Sequence, residues 1–274
     1  MRIGGFGRLL WVGLTLGIVA MLGAAPASAQ QQSNILAEVL KRGTVRIATQ
    51  PGNPPYSAMS PSGEPEGFDV EIGKLIAAAI KVKPEWVTVD TAGRITALQT
   101  HRADLTISNF TNTMERSTVV AFTRPYLVVG SKVMVLKDSK LQTIDDVNNA
   151  NIKIGISRGG TSEQNAMRIA PNATIVRFDM VQDATLALKS GQVDVQVMDS
   201  LLNASILAKD TDHIYRDIPG NYSYEEIAIG VPAGDFDWWR LIDGFVRQFT
   251  NSGDDAKLFK KYFGYDMPPL QPVQ

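Results

Sequence analysis

Between Val45 and Asn109, short β-rich runs (Val45–Thr49, Glu85–Val89 and Asp104–Ile107) alternate with helical patterns. That alternation predicts βαβ units and a largely parallel sheet. The clearest helical signal covers Phe68–Ile80. There Phe68, Ile72, Leu75, Ile76, Ala79 and Ile80 recur on one face, and Asp69, Glu71 and Lys74 are expected on the solvated one. The alternation returns downstream, with strands over Lys153–Ser157, Thr174–Phe178 and Val193–Met198 and helices over Ser162–Ile169, Val181–Ser190 and Ser200–Lys209. This predicts a second lobe. Ala97–Leu105 and Ala187–Val195 echo each other in residue type, each closing a helix, turning and entering a strand, so positions in the two lobes can be equated. Apolar spacing from Phe236 through Trp238, Trp239, Leu241, Ile242, Phe245 and Val246 to Phe249, and again at Leu258, Phe259, Tyr262 and Phe263, predicts helices packed on the first lobe.

The first residues break this pattern. Arg2 and Arg8 precede an apolar run from Leu9 to Leu22, and Ala27-Ser28-Ala29 follows. That order is a secretory signal, with cleavage expected after Ala29. The run is shorter than the roughly 20 residues of a spanning helix. Removing residues 1–29 leaves about 245, enough to bury a sizeable core in one or two domains. The absence of cysteine excludes disulfides, thiolate sites and a lipidated N-terminus, and points to a free periplasmic protein. With Lys+Arg at 27 and Asp+Glu at 28, no field exists to draw nucleic acid or an anionic membrane. His101 and His213 are the two histidines and lie far apart in sequence, so no metal or other cofactor is expected.

In open α/β sheets, ligands sit beyond the carboxyl ends of the strands, near helix N-termini. By that rule Ser108-Asn109, Met198-Asp199 and the turn Arg158-Gly159-Gly160-Thr161-Ser162 line one cleft. Asp199, between a strand and a helix, suits either an N-cap or the partner of a ligand ammonium. Arg116, after Thr113-Met114-Glu115, suits either a solvated surface or a carboxylate clamp. The Gly159-Gly160 pair can simply turn the chain, or it can present N–H groups and a hydroxyl to an anion. No nucleophile elbow or nucleotide-triphosphate loop is present. Asp145-Asp146 and Asp254-Asp255 read as solvated caps.

Several segments resemble the periplasmic polar amino-acid-binding proteins of ABC transporters, the solute-binding family 3 group. These are Gly67–Ala77, Ser108–Arg116, Ala121–Tyr126, Arg158–Glu163 and Val193–Ser200, in the family's order. The resemblance implies an α/β, two-lobed periplasmic-binding-protein fold of type II. Each lobe would be a mostly parallel sheet flanked by helices, with the ligand in the interlobe cleft. Lobe 1 would comprise residues 30–127 and 227–266 and lobe 2 residues 128–226, followed by a mobile tail at 267–274. By the same resemblance, Arg116 with Ser108, Thr111 and the Thr161 region would hold the ligand carboxylate, and Asp199 its ammonium. Asn109, Gly160 and Ser162 would border the same site.

The first loop carries Gln50 and Asn53 where many members place an acid and an aromatic, which argues against a basic ligand; Tyr56 is either a ligand-facing ring or core. Gly93-Arg94-Ile95 resembles the glutamate/aspartate branch, which makes Arg94 the expected reader of an acidic side chain, with Arg158 as a second positive group. A polar neutral ligand such as glutamine is the alternative. The expected partner is a membrane permease, and the expected state is a monomer. An enzyme on this fold, similar to cyclohexadienyl dehydratases, is the competing reading. It would need a general acid, and the cleft-facing motifs offer no acid besides Asp199.

Overall fold

The computed structural model describes residues 34–270; the expected signal segment and the end of the expected tail lie outside the described residues. The strands are β1 (Thr44–Thr49), β2 (Ala58–Met59), β3 (Pro65–Glu66), β4 (Lys83–Thr88), β5 (Leu105–Thr106), β6 (Val120–Val129), β7 (Ser131–Leu136), β8 (Lys153–Ser157), β9 (Thr174–Phe178), β10 (Val195–Asp199), β11 (Tyr215–Ile218) and β12 (Glu225–Pro232). The helices are α1 (Ile35–Arg42), α2 (Phe68–Ala79), α3 (Gly93–Gln99), α4 (Met114–Ser117), α5 (Ile144–Val147), α6 (Thr161–Ile169), α7 (Val181–Lys189), α8 (Ser200–Lys209), α9 (Phe236–Asn251) and α10 (Asp254–Phe263).

Two five-stranded mixed sheets organise the α/β chain, in the orders β4-β1-β5-β12-β6 and β11-β7-β10-β8-β9. Each contains a parallel trio, β4-β1-β5 and β10-β8-β9, made of the strands that the alternation predicts. The remaining strands, β6, β7, β11 and β12, join antiparallel and so make the sheets more mixed than expected. Inner strands are apolar because both faces are covered: Val45 and Ile47 of β1 and Val195 of β10 have no exposed surface.

The chain passes between the sheets twice. β6 continues through Gly130 into β7, and β11 leads back to β12, which pairs along β6 from Pro232↔Val120 to Glu225↔Val129.

Helix α2 packs Phe68, Ile72 and Ile76 inward as expected. Three of its residues depart from the prediction, Ala79 by being exposed on the expected inner face and two more by exchanging sides. Asp69 is fully buried, since its oxygens accept from Tyr126 Oη at 2.9 Å and Asn109 N at 2.7 Å. Leu75 is exposed. A buried carboxylate with two donors is tolerated where an orphan one would not be. Helix α9 buries Trp238, Ile242, Val246 and Phe249. Its indoles pin it to the first half of the fold, Trp238 Nε1 donating to Asp104 O and Trp239 Nε1 to Phe122 O, both at 2.7 Å. On α10, Phe259 and Phe263 stack at 4.3 Å and meet Phe68 edge-on. Asp146 closes a capping box with Thr143, as the paired acids suggested, whereas Asp255 is buried. In the tail, Met267 packs on the core and Leu270 O accepts from Tyr224 Oη at 2.9 Å.

Candidate functional site

Strand ends from both sheets converge on a cavity of about 60 Å³. Asp199 ends β10 and caps α8: Oδ1 accepts from the backbone N–H of Leu201 and Leu202 and from Tyr56 Oη, at 2.9–3.0 Å. Oδ2 accepts from Asn109 Nδ2 at 2.9 Å and the carboxylate lines the cavity, so the capping and cavity-facing roles coexist. Burial pushes its pKa up to about 6, against the pull of those hydrogen bonds.

Asn109 is held in the left-handed region at φ 48° by three anchors: its N–H on Asp69, its carbonyl on Arg94 and its amide nitrogen on Asp199. Burial raises Asp69 to about 7.

Arg94 lines the cavity, but it donates from Nε to Thr91 O at 2.8 Å and from Nη1 to Ser108 O and Asn109 O at 3.1 and 3.0 Å. Arg116 does not line the cavity. It donates to Thr111 O at 2.7 Å and to Gly159 O at 3.0 Å, carbonyls contributed by different halves of the fold. The two guanidinium carbons lie 4.8 and 5.0 Å from the Phe110 ring centroid. Burial holds both arginines below their ordinary pKa.

Helix α6 opens into the cavity through Gly160, Thr161 and Ser162, and no side chain caps its N-terminus. The N–H groups of Thr161 and Ser162 have no intrahelical acceptor and stand at the positive end of the helix dipole, an arrangement suited to an anion.

One expectation fails here. Besides Asp199 the cavity contains a second acid, Glu225, at the start of β12. It accepts from the side chains of Thr111, Ser131, Thr161, Asn165 and Ser223. These donors come from widely separated segments, so local spacing gave no hint of it. Neutral groups complete the lining. Gln50 Nε2 donates to Thr91 Oγ1 at 2.9 Å, and Thr91 Oγ1 meets Ser157 Oγ at 2.8 Å.

Of the predicted residues, Asn53, Arg94, Asn109, Thr111, Gly160, Thr161, Ser162 and Asp199 line the cavity. Tyr56, Ser108 and Arg116 are buried behind its wall. Arg158 stands outside, exposed and 3.2 Å from Asp179. Lining residues not singled out as ligand contacts include Thr91, Ser131, Gln196 and Glu225. A glutamine inside the otherwise apolar run Val195–Met198 was the one legible signal among them. His101 and His213 are exposed, and no cluster among the described residues could hold a metal ion.

The family model of bacterial extracellular solute-binding proteins, family 3, matches residues 45–265. The L-arginine-binding protein of Pseudomonas aeruginosa is 28% identical, over 91% of this chain and 97% of its own length. The glutamine-binding protein of Geobacillus stearothermophilus is 30% identical, over 76% and 80%. Among solved structures, the ancestral amino acid-binding protein AncCDT-1, a precursor of cyclohexadienyl dehydratase, superposes with a TM-score of 0.78 at 32% identity, covering 83% of this chain and 99% of that one.

Proposed function

The chain belongs to the bacterial extracellular solute-binding proteins, family 3, and from that premise we propose that it captures an α-amino acid in the periplasm and hands it to the permease of an ABC transporter. The observation that carries this reading is the meeting of an anion and a helix N-terminus on one cavity: Asp199 for the ammonium, and the Gly160–Ser162 turn for the carboxylate. Thr111 and Thr161 complete the contacts with the ligand main chain. Arg116 supports the carboxylate end from behind by holding the carbonyls of Thr111 and Gly159. The two crossings between the sheets serve as the hinge of lobes 30–127 with 227–266 and 128–226, and closure is driven by contacts made only in the closed state. A cleaved signal at residues 1–29 delivers the monomer to the periplasm.

The acidic ligand expected from the sequence rested on Arg94, whose Nε and Nη1 are committed to three backbone carbonyls. This supports assigning Arg94 to positioning the Ser108–Asn109 loop and leaves the ligand side chain to other groups.

Glu225 gives the dehydratase reading an acid in the cavity. Both of its oxygens, however, are already engaged, Oε2 by Thr111 and Thr161 and Oε1 by Ser131, Asn165 and Ser223, so neither is free to serve a leaving hydroxyl. A thermal-shift screen with the common amino acids, beside incubation with prephenate and arogenate, separates the two. The transport reading expects a rise in Tm with amino acids and no aromatic product. Turnover to an aromatic product would contradict it.

A further inference from the structure

Resting on the amino-acid reading, we infer that Gln196 and Asn109 select a ligand whose side chain ends in N–H donors, an amide or a cationic group, rather than in a carboxylate. Gln196 projects from the buried strand β10 with no exposed surface and lines the cavity. Its Nε2 donates to Val181 O at 3.1 Å, while its Oε1 is buried without a partner. Turning the amide over would set oxygen against oxygen at Val181, so the acceptor end is the one presented.

Asn109 repeats the device. Its Nδ2 is committed to Asp199 Oδ2 at 2.9 Å, and its Oδ1 is likewise buried and unpartnered. In both amides the nitrogen is committed to a neighbour, which leaves the oxygen as the unpaired end of a residue that lines the cavity. Gln50 does not share this constraint, because its partner Thr91 can donate or accept. A buried acceptor left unpaired is costly, and a ligand donor removes that cost.

Charge points the same way. Of the charged side chains that line the cavity, Arg94 stands against Asp199 and Glu225, an excess of one negative group when all three are ionised. The main chain of an amino-acid zwitterion leaves that balance unchanged. A side-chain carboxylate would add to the excess and face two more acceptors. An amide is compatible with the balance, and a cation neutralises it.

Titration calorimetry on the full mature chain with glutamine, arginine, glutamate and alanine tests this. Glutamine, arginine or both should bind at least about tenfold tighter than glutamate; which of the two leads distinguishes an amide from a cation. The variant Gln196→Met should erase that margin while alanine binding changes less than about threefold. Gln196→Glu, which keeps the size of the side chain, should move preference from glutamine toward arginine. If Gln196→Met does not fold, the wild-type ratio and Gln196→Glu decide. Glutamate binding as tightly as glutamine and arginine would overturn the inference and leave amino-acid capture standing. Absence of binding by every amino acid would remove both.

Discussion

Asp199 divides its work between its oxygens: one caps α8 and takes the Tyr56 hydroxyl, while the other faces Asn109 on the cavity wall. Asn is as good an N-cap as Asp but carries no charge. Asp199→Asn should therefore fold normally yet lose about 2–4 kcal/mol of amino-acid binding, read by calorimetry, because the ligand ammonium loses a buried counter-charge. Binding also requires the ionised carboxylate, whose pKa in the free protein is about 6. Affinity should be flat above pH 7 and fall below 6 by up to about tenfold per pH unit; a dissociation constant unchanged between pH 5 and 8 would contradict this role. At this scale the sequence disclosed Asp199, Asn109 and Thr161, since the ends of parallel strands and the starts of helices can be read locally. It did not disclose Glu225, whose position depends on partners brought together only by folding. Arg116 was visible, but its placement behind the cavity wall was not.

Among the elements, the parallel strands were the most legible, with β8, β9 and α8 forming at the residues expected. Their hydrophobic runs are bounded by turn residues and alternate with helical periods. β6 and β7 escaped because they follow one another with only Gly130 between them and no helical period to set them apart. The start of α2 illustrates a constraint that periodicity does not express. Gly67 precedes it at φ 131°, and a Cβ there would lie 2.3 Å from Tyr56 O. A side chain would meet both backbone strain and a fixed carbonyl beside the tyrosine that supports Asp199. Gly67→Ala should cost about 2–4 kcal/mol in urea unfolding; a variant as stable as the parent would show that this turn has slack.

For the whole molecule, the raised carboxyls set a pH dependence opposite to that of an ordinary surface acid. Asp69 near 7 and Asp199 near 6 exceed their ordinary value of 3.8, so the folded state holds protons that the unfolded chain has released. The ligand-free protein should lose stability as pH rises from about 4 through 7, visible as a falling Tm. Saturating amino acid should flatten the part due to Asp199, because the ammonium replaces the proton. The proposed capture of a ligand with one positive and one negative end ties this titration to the cavity that the two sheets share. The most direct test is calorimetry with a bound amino acid beside two analogues, one lacking the α-ammonium and one lacking the α-carboxylate. The account predicts that each analogue binds at least about a hundredfold more weakly; an analogue that binds as well as the amino acid would contradict capture of a zwitterion.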